Sequence, residues 1–577
     1  MAVPPGTLMA AMGLLTQLWL SARFWFGLSL ITWWGMAGVI WRDGQGRYRI
    51  QDDARQHVFW MQRFEEPGLF PNDWIADYFQ SVAPWGYRHL YELASLLGFD
   101  PFSFNKLLPL LLSLLTTVLV IQVSWRLLPV PSVGFVSSVI LNLSLWMKDD
   151  LVSGTPRAFV VPLLLGFVWG LLSEKPVYTA IAILVTGLFY PQLVLIQGGV
   201  LLLQGLGIAQ TTAPKRPLVL LGLMTVVLVL SPYLLSSNPW GPVLTREQGL
   251  SLAELAPRGR SAFFYEDVAH FWLSSDRSGL IPGYTPLVLW LGGLLPLLLR
   301  VRQRFPLLAK LRGQSVLLQL LLSSLGGFVL AHLMLFRLHL PSRYTHHSLR
   351  VLLSLAAGIV VVAIAHGIFT QPVTHRLLGG VNRLLALILV FGVVASPLWL
   401  WTSFQTAYYD GTAPEIYRYL QDTPNDSLVA GVDAEIDNIP SFGRRPILTG
   451  LEYMIPYHWG YYAILRDRFI ALIQAQYSPH PDHVRRFIAD YDIDYWLIRR
   501  DDFSLDSLQQ HYWLNRMATS PRPEDPLIQA IQGAFHTLEQ GQTPVLATLG
   551  DRCNVAPSPH YWLLDTTCIL TRFAPET

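Results

Sequence analysis

Long apolar runs separated by short polar connections fill the chain as far as Trp401, and an ordinary mixture of apolar and charged positions follows. Leu107–Val123, Leu218–Leu235, Val316–Leu335 and Leu384–Trp401 are each about long enough to cross a ~30 Å hydrocarbon layer as one helix. The pattern predicts about eleven spans, near 24–41, 105–126, 132–147, 157–173, 177–190, 191–208, 216–234, 284–300, 315–338, 347–369 and 383–402. Tyr87–Leu97 reads differently. Its apolar Leu90, Ala94, Leu96 and Leu97 are interrupted by Arg88, His89 and Glu92, as in a helix lying on a membrane surface. A second division, with Tyr87–Leu97 crossing and 177–208 as one long helix, keeps the total and moves the 148–157 connection to the other side. The fold class is therefore a multi-pass α-helical membrane bundle, 1–402, followed by a soluble domain, 403–577.

Loop charge orients the bundle, because short cytoplasmic connections collect Lys and Arg. The connection with Arg300, Arg302, Arg304, Lys310 and Arg312 has no acid, nor do those holding Lys215–Arg216 and Arg376 with Arg383. With these three inside, Arg126 and Lys175 also fall inside. The N-terminus is then cytoplasmic, while the first loop 42–104, the loop 236–283 and the tail 403–577 are extracytoplasmic. The expected location is the plasma (inner) membrane. Met1–Leu20 is apolar without a basic leader and reads as an interfacial lead-in.

Composition supports the membrane class: charged residues are 14% of the chain against roughly 25% in soluble domains, and apolar ones 52%. The 20 Trp and 23 Tyr suit aromatic belts at two interfaces. A net charge of +2 with no basic block argues against a nucleic-acid partner.

Two acidic pairs carry the candidate chemistry. Asp52–Asp53 follow the first span in Tyr48-Arg49-Ile50-Gln51-Asp52-Asp53-Ala54-Arg55-Gln56-His57, and Asp149–Asp150 follow the third. In the preferred topology both lie at the outer interface, where adjacent carboxylates near lipid need a cation or donors. Such carboxylates serve as bases toward a hydroxyl or as ligands of a divalent ion. Their plainer role is capping the helices that follow.

The organisation resembles the GT-C glycosyltransferases, membrane enzymes that take sugars from polyprenyl-phosphate carriers. The resemblance rests on Asp52–Asp53 in a long first outer loop and Asp149–Asp150 as a second acidic site. It also rests on the outer-edge segment Leu340-Pro341-Ser342-Arg343-Tyr344. Tyr417–Glu452 is similar to the start of the outer domain of oligosaccharyltransferase-like members. Val432-Asp433-Ala434-Glu435 stands where those enzymes carry a tryptophan-rich acceptor motif, so sequon glycosylation is not implied. What the resemblance implies is transfer of a sugar from a polyprenyl-phosphate donor to a glycan, lipid or protein acceptor. Asp52 or Asp53 would be the base, and Mg or Mn would be bound by Asp53, Asp149 and Asp150.

A lipid phosphate needs cations at headgroup level. Arg343, with Tyr344, His346, His347 and Arg350 within two helical turns, offers them, and Arg157 in Gly154-Thr155-Pro156-Arg157 is a second candidate. Arg and Tyr at a span end also serve as membrane anchors. The loop 236–283 can close over such a site as a lid, although most of its charges read as a solvated face.

In the tail, strand patterns at Asp426–Gly431, Pro446–Thr449 and Tyr495–Ile498 alternate with helices near Ala413–Leu420, Tyr461–Gln476 and Pro481–Tyr491. This predicts a small α/β domain with a largely parallel sheet. Its Cys553 and Cys568 flank a hairpin pattern and are either bridged or buried thiols. Two further functions compete: a carrier or flippase for lipid-linked glycans, and a cell-envelope assembly protein without catalysis. A carrier places ionisable residues near mid-span, and the predicted spans hold almost none there.

Overall fold

The structure, a computed structural model, describes residues 21–209, 215–235, 238–370 and 376–573. The lead-in Met1–Leu20 lies outside the described residues. Six helices among them are long and apolar enough to cross a membrane: Ala22–Asp43, Pro101–Leu127, Arg216–Tyr233, Gln314–Leu333, Pro341–Thr370 and Gly380–Ser403. Pro131–Trp146, Pro156–Leu172, Pro176–Phe189, Gln192–Gly205 and Leu287–Arg300 are apolar but shorter. At about 1.5 Å per residue a 14-residue helix such as Pro176–Phe189 rises about 21 Å. Pro131 and Pro176 stand in the first turns of their helices, where a missing N–H costs nothing.

The chain reverses at Tyr190–Pro191. Gly187 packs on Val229 while Gly205 packs on Val219, so Pro176–Phe189 and Gln192–Gly205 run in opposite directions along Arg216–Leu235. The 12-residue helix Trp85–Leu96 rises only about 18 Å and leads directly to Pro101–Leu127. Between 284 and 300 the expected helix begins as a 3-10 segment, Leu287–Leu294, before turning α-helical.

The centre of the bundle is His346–Thr370, buried along most of its length against Pro131–Trp146. A Cβ on Gly358 would sit 3.0 Å from the Ser137 backbone nitrogen, so a bare glycine permits this approach. That packing brings the end of one helix, and with it Asp149–Asp150, beside the start of the other.

A two-stranded antiparallel sheet ties the loop after the first apolar helix to the segment after the last one. In it β1 (Arg49–Gln51) pairs with β2 (Tyr408–Asp410). Arg49 secures both sides, reaching Asp43 at 2.8 Å and Asp410 at 2.5 Å.

The tail contains β3 (Val429–Ala430), β4 (Tyr495–Arg499) and β5 (Tyr561–Asp565) in that spatial order. β3 and β4 are parallel, and Ile447 extends the parallel side through a bridge to Val429. β5 is antiparallel to β4, so the sheet is mixed rather than largely parallel. Helices Pro414–Gln421, Trp459–Gln476, Pro481–Tyr491 and Pro526–Glu539 accompany it. Cys553 and Cys568, which bracket β5, are joined in a disulfide.

Candidate active site

The site is built where four connections meet at one end of the bundle. Asp52 and Asp53 occupy the first turn of the short helix Asp52–His57, whose start is capped by the Gln51 side chain. Successive residues of a helix point about 100° apart, and the two carboxylates diverge accordingly.

Asp53 turns toward the bundle and forms an ion pair with Arg157. The other arm of that guanidinium, Nη1, lies 3.0 Å from Asp150 Oδ1. The turn that delivers Arg157 depends on Gly154, whose φ is +59°; a Cβ there would lie 2.5 Å from Asn105 Nδ2. Asp150 also faces Arg343 Nη1 at 3.7 Å and His347 Nδ1 at 3.9 Å. Asp53, Arg157, Asp150, Arg343 and His347 thus form one charged cluster drawn from three separate parts of the chain. His347 Nε2, both ring nitrogens of His346 and Arg343 Nε are buried without a hydrogen-bond partner. Such donors suit a ligand with several acceptor oxygens.

The two acids of the second pair differ. Burial alone would raise the Asp150 carboxyl, but Lys148, His347, Arg343 and Arg350 outweigh it and hold it well below the usual carboxylate range. Asp149 is pushed up to about 6 by burial and by the neighbouring Asp150.

Asp52 turns the other way, to Arg55 one helical turn on. Arg55 stacks 4.8 Å from the Tyr409 ring centroid and reaches Glu452 Oε2 at 3.3 Å. Glu452 belongs to the tail domain and also takes hydrogen bonds from Gln56 and Arg260. Burial raises its carboxyl to about 7 against the pull of Arg260 and Arg55. Asp437, whose carboxylate accepts the Glu452 backbone N–H at 3.3 Å, is raised to about 6 by burial. The loop after the first apolar helix, the loop 236–283 and the tail therefore meet on one buried carboxylate.

Tyr344 and Arg350 also make backbone contacts near the cluster. The Tyr344 hydroxyl donates to the Leu338 carbonyl at 3.0 Å. Arg350 donates to the carbonyls of Ser144 at 2.7 Å and Gly283 at 2.5 Å, closing the end of the bundle. Most of the charges expected to be solvated in the loop 236–283 are exposed, namely Arg246, Glu247, Arg258, Glu266 and Asp267, but the loop also packs inward. Glu254 is buried against Tyr462 and Arg466, while Ser342 Oγ donates to the Asp276 carbonyl at 2.7 Å. The sequence reading passed over Glu452, although a lone acid in the apolar stretch Pro446–Ile455 was the available signal.

The expected Mg or Mn ligands were Asp53, Asp149 and Asp150. Among the described residues no three His, Cys, Asp or Glu side chains are grouped to hold a metal ion. Asp53 and Asp150 share one guanidinium, which stands where a shared cation would bind.

No family model and no curated protein sequence matches the chain. Its fold, however, is that of the oligosaccharyltransferase of Archaeoglobus fulgidus, a GT-C glycosyltransferase. The structure of that protein tethered to an acceptor peptide containing the NVT sequon superposes with a TM-score of 0.54 at 10% identity, over 89% of this chain and 72% of that one. The archaeal AglB complex with an inhibitory peptide and a dolichol-phosphate gives a TM-score of 0.54 at 10% identity, covering 85% and 71%. The complex with zinc and sulfate gives 0.50 at 10% identity, covering 84% and 69%.

Proposed function

We propose that this chain is a membrane glycosyltransferase that moves a sugar from a polyprenyl-phosphate carrier to an acceptor hydroxyl on the extracytoplasmic side. The observation that carries it is the junction of Asp53, Arg157, Asp150, Arg343 and His347 in one cluster at the end of an apolar bundle. Carboxylate and phosphate-binding groups are adjacent there, as phosphate departure coupled to deprotonation of a hydroxyl demands. The solved neighbours with this fold were captured with an acceptor peptide and with dolichol-phosphate, which supports the same donor class here.

In this reading Arg343, His347 and Arg157 hold the donor phosphate at headgroup level. The acceptor oxygen bonds to the anomeric carbon as the bond from that carbon to the phosphate oxygen breaks. The hydroxyl proton passes to Asp53, and polyprenyl phosphate leaves with the bonding electron pair. Asp52, held by Arg55 beneath the tail domain, orients the acceptor. The Cys553–Cys568 bridge supports an oxidising, extracytoplasmic side for that domain.

The test is full-length protein in nanodiscs given a pool of radiolabelled polyprenyl-phosphate sugars. Release of unglycosylated polyprenyl phosphate together with a labelled acceptor is expected. Movement of the intact lipid-linked sugar across the bilayer, without cleavage, would make the protein a carrier instead.

A further inference from the structure

The guanidinium of Arg157 occupies the place between the two acidic pairs where a shared cation belongs. It pairs with Asp53 on one side and with Asp150, at 3.0 Å, on the other. Arg157 is only 19% exposed, Asp53 23% and Asp150 6%, so these charges are largely removed from water and each depends on the others. The balance within the cluster is uneven. Asp150 has Arg157, Arg343 and His347 at 3.0, 3.7 and 3.9 Å, with Lys148 and Arg350 also acting on it. Among the described residues, Asp53 forms an ion pair with Arg157 alone.

An arriving phosphate meets Arg343 and His347, which face the same Asp150 carboxylate, and competes for the Arg157 guanidinium. Arginine binds phosphate and carboxylate with the same planar pair of donors, so exchange needs a side-chain rotation and no change of protonation. Asp150 keeps Arg343 and His347 after such an exchange. Asp53 loses its counter-charge and becomes a stronger base.

We propose that Arg157 is an exchangeable internal cation: it neutralises Asp53 in the ligand-free protein and passes to the donor phosphate, so that phosphate binding needs no divalent ion and itself frees the base. This rests on the glycosyltransferase reading and adds an order to it, donor before base activation. The ligand chemistry is a phosphate group, from a lipid headgroup or from free phosphate.

The experiment measures binding of farnesyl phosphate, and separately of inorganic phosphate, to full-length protein in nanodiscs with EDTA present. Wild type should bind farnesyl phosphate in EDTA, with no gain on adding Mg²⁺ or Mn²⁺. Asp53→Asn removes the competitor for Arg157 and should tighten binding about tenfold or more, as expected when a close opposing charge is removed. In an Arg157→Gln background the same Asp53→Asn change should give no tightening, because the shared group is gone.

Binding that requires Mg²⁺ or Mn²⁺ overturns the proposal using wild type alone, whatever the variants do. So does an Asp53→Asn protein that binds no better than wild type, and the glycosyltransferase reading survives either result. Equal affinity for inorganic phosphate would overturn the assignment to a lipid headgroup. Wild-type protein that binds neither ligand, with or without divalent ions, would bring down both readings together.

Discussion

Arg157 and Asp53 form an ion pair although one begins an apolar helix and the other opens a short helix in the loop after the first apolar helix. Through it the acidic pair after the first apolar helix is joined to the acidic residue Asp150 after the third, and both to Arg343.

Arg343→Lys keeps a positive charge but loses paired donors. Affinity for farnesyl phosphate should fall about tenfold, while insertion and thermal stability stay near wild type. Titration in nanodiscs checks this; unchanged affinity would remove Arg343 from the donor site.

Glu452 gives a pH dependence with a definite sign. Its carboxyl is raised from 4.5 to about 7, so the folded protein holds that proton more tightly than the unfolded chain does. The stability it contributes is full below about pH 4.5 and is lost as pH rises to about 7. Relative to Glu452→Gln, the melting temperature of wild type should therefore fall across that window. A constant difference between the two proteins would show that Glu452 does not titrate there.

The Cys553–Cys568 bridge closes a loop with a sequence separation of 15, worth about 3 kcal/mol in the chain-entropy picture. Cys553→Ser/Cys568→Ser should lower the melting temperature of the tail domain, and reduction of wild type should lower it equally. Thermal scans with and without reductant decide it.

The three acid-free basic connections predict that the tail is extracytoplasmic. Alkaline phosphatase fused after Thr577 should be active in a bacterial host. An active cytoplasm-only reporter at that position would reverse the orientation.

Much of this architecture was legible in the sequence, for identifiable reasons. Apolar runs such as Pro101–Leu127 declare themselves, because a lipid-facing helix needs apolar side chains all round. Asp53, Asp150 and Arg343 were recognisable as charges that apolar surroundings cannot leave uncompensated. Their partners were not readable, since spacing along the chain does not say which helix ends adjoin. Asp52 and Asp53 looked equivalent, yet helical geometry sends one to Arg55 and the other to Arg157. The partner of the Tyr344 hydroxyl, the Leu338 carbonyl, was likewise not readable from the sequence. β5 was legible only as part of the hairpin pattern between the two cysteines, because Tyr561–Asp565 pairs mainly with a strand far back in the chain.

The central claim is that Asp53 takes the acceptor proton, and turnover of Asp53→Asn tests it most directly. The substitution preserves shape and removes charge, and a general base contributes roughly 10²–10⁴-fold in rate. Sugar transfer from a saturating polyprenyl-phosphate donor should fall by about that factor while lipid-phosphate binding persists. Transfer at the wild-type rate would contradict the account.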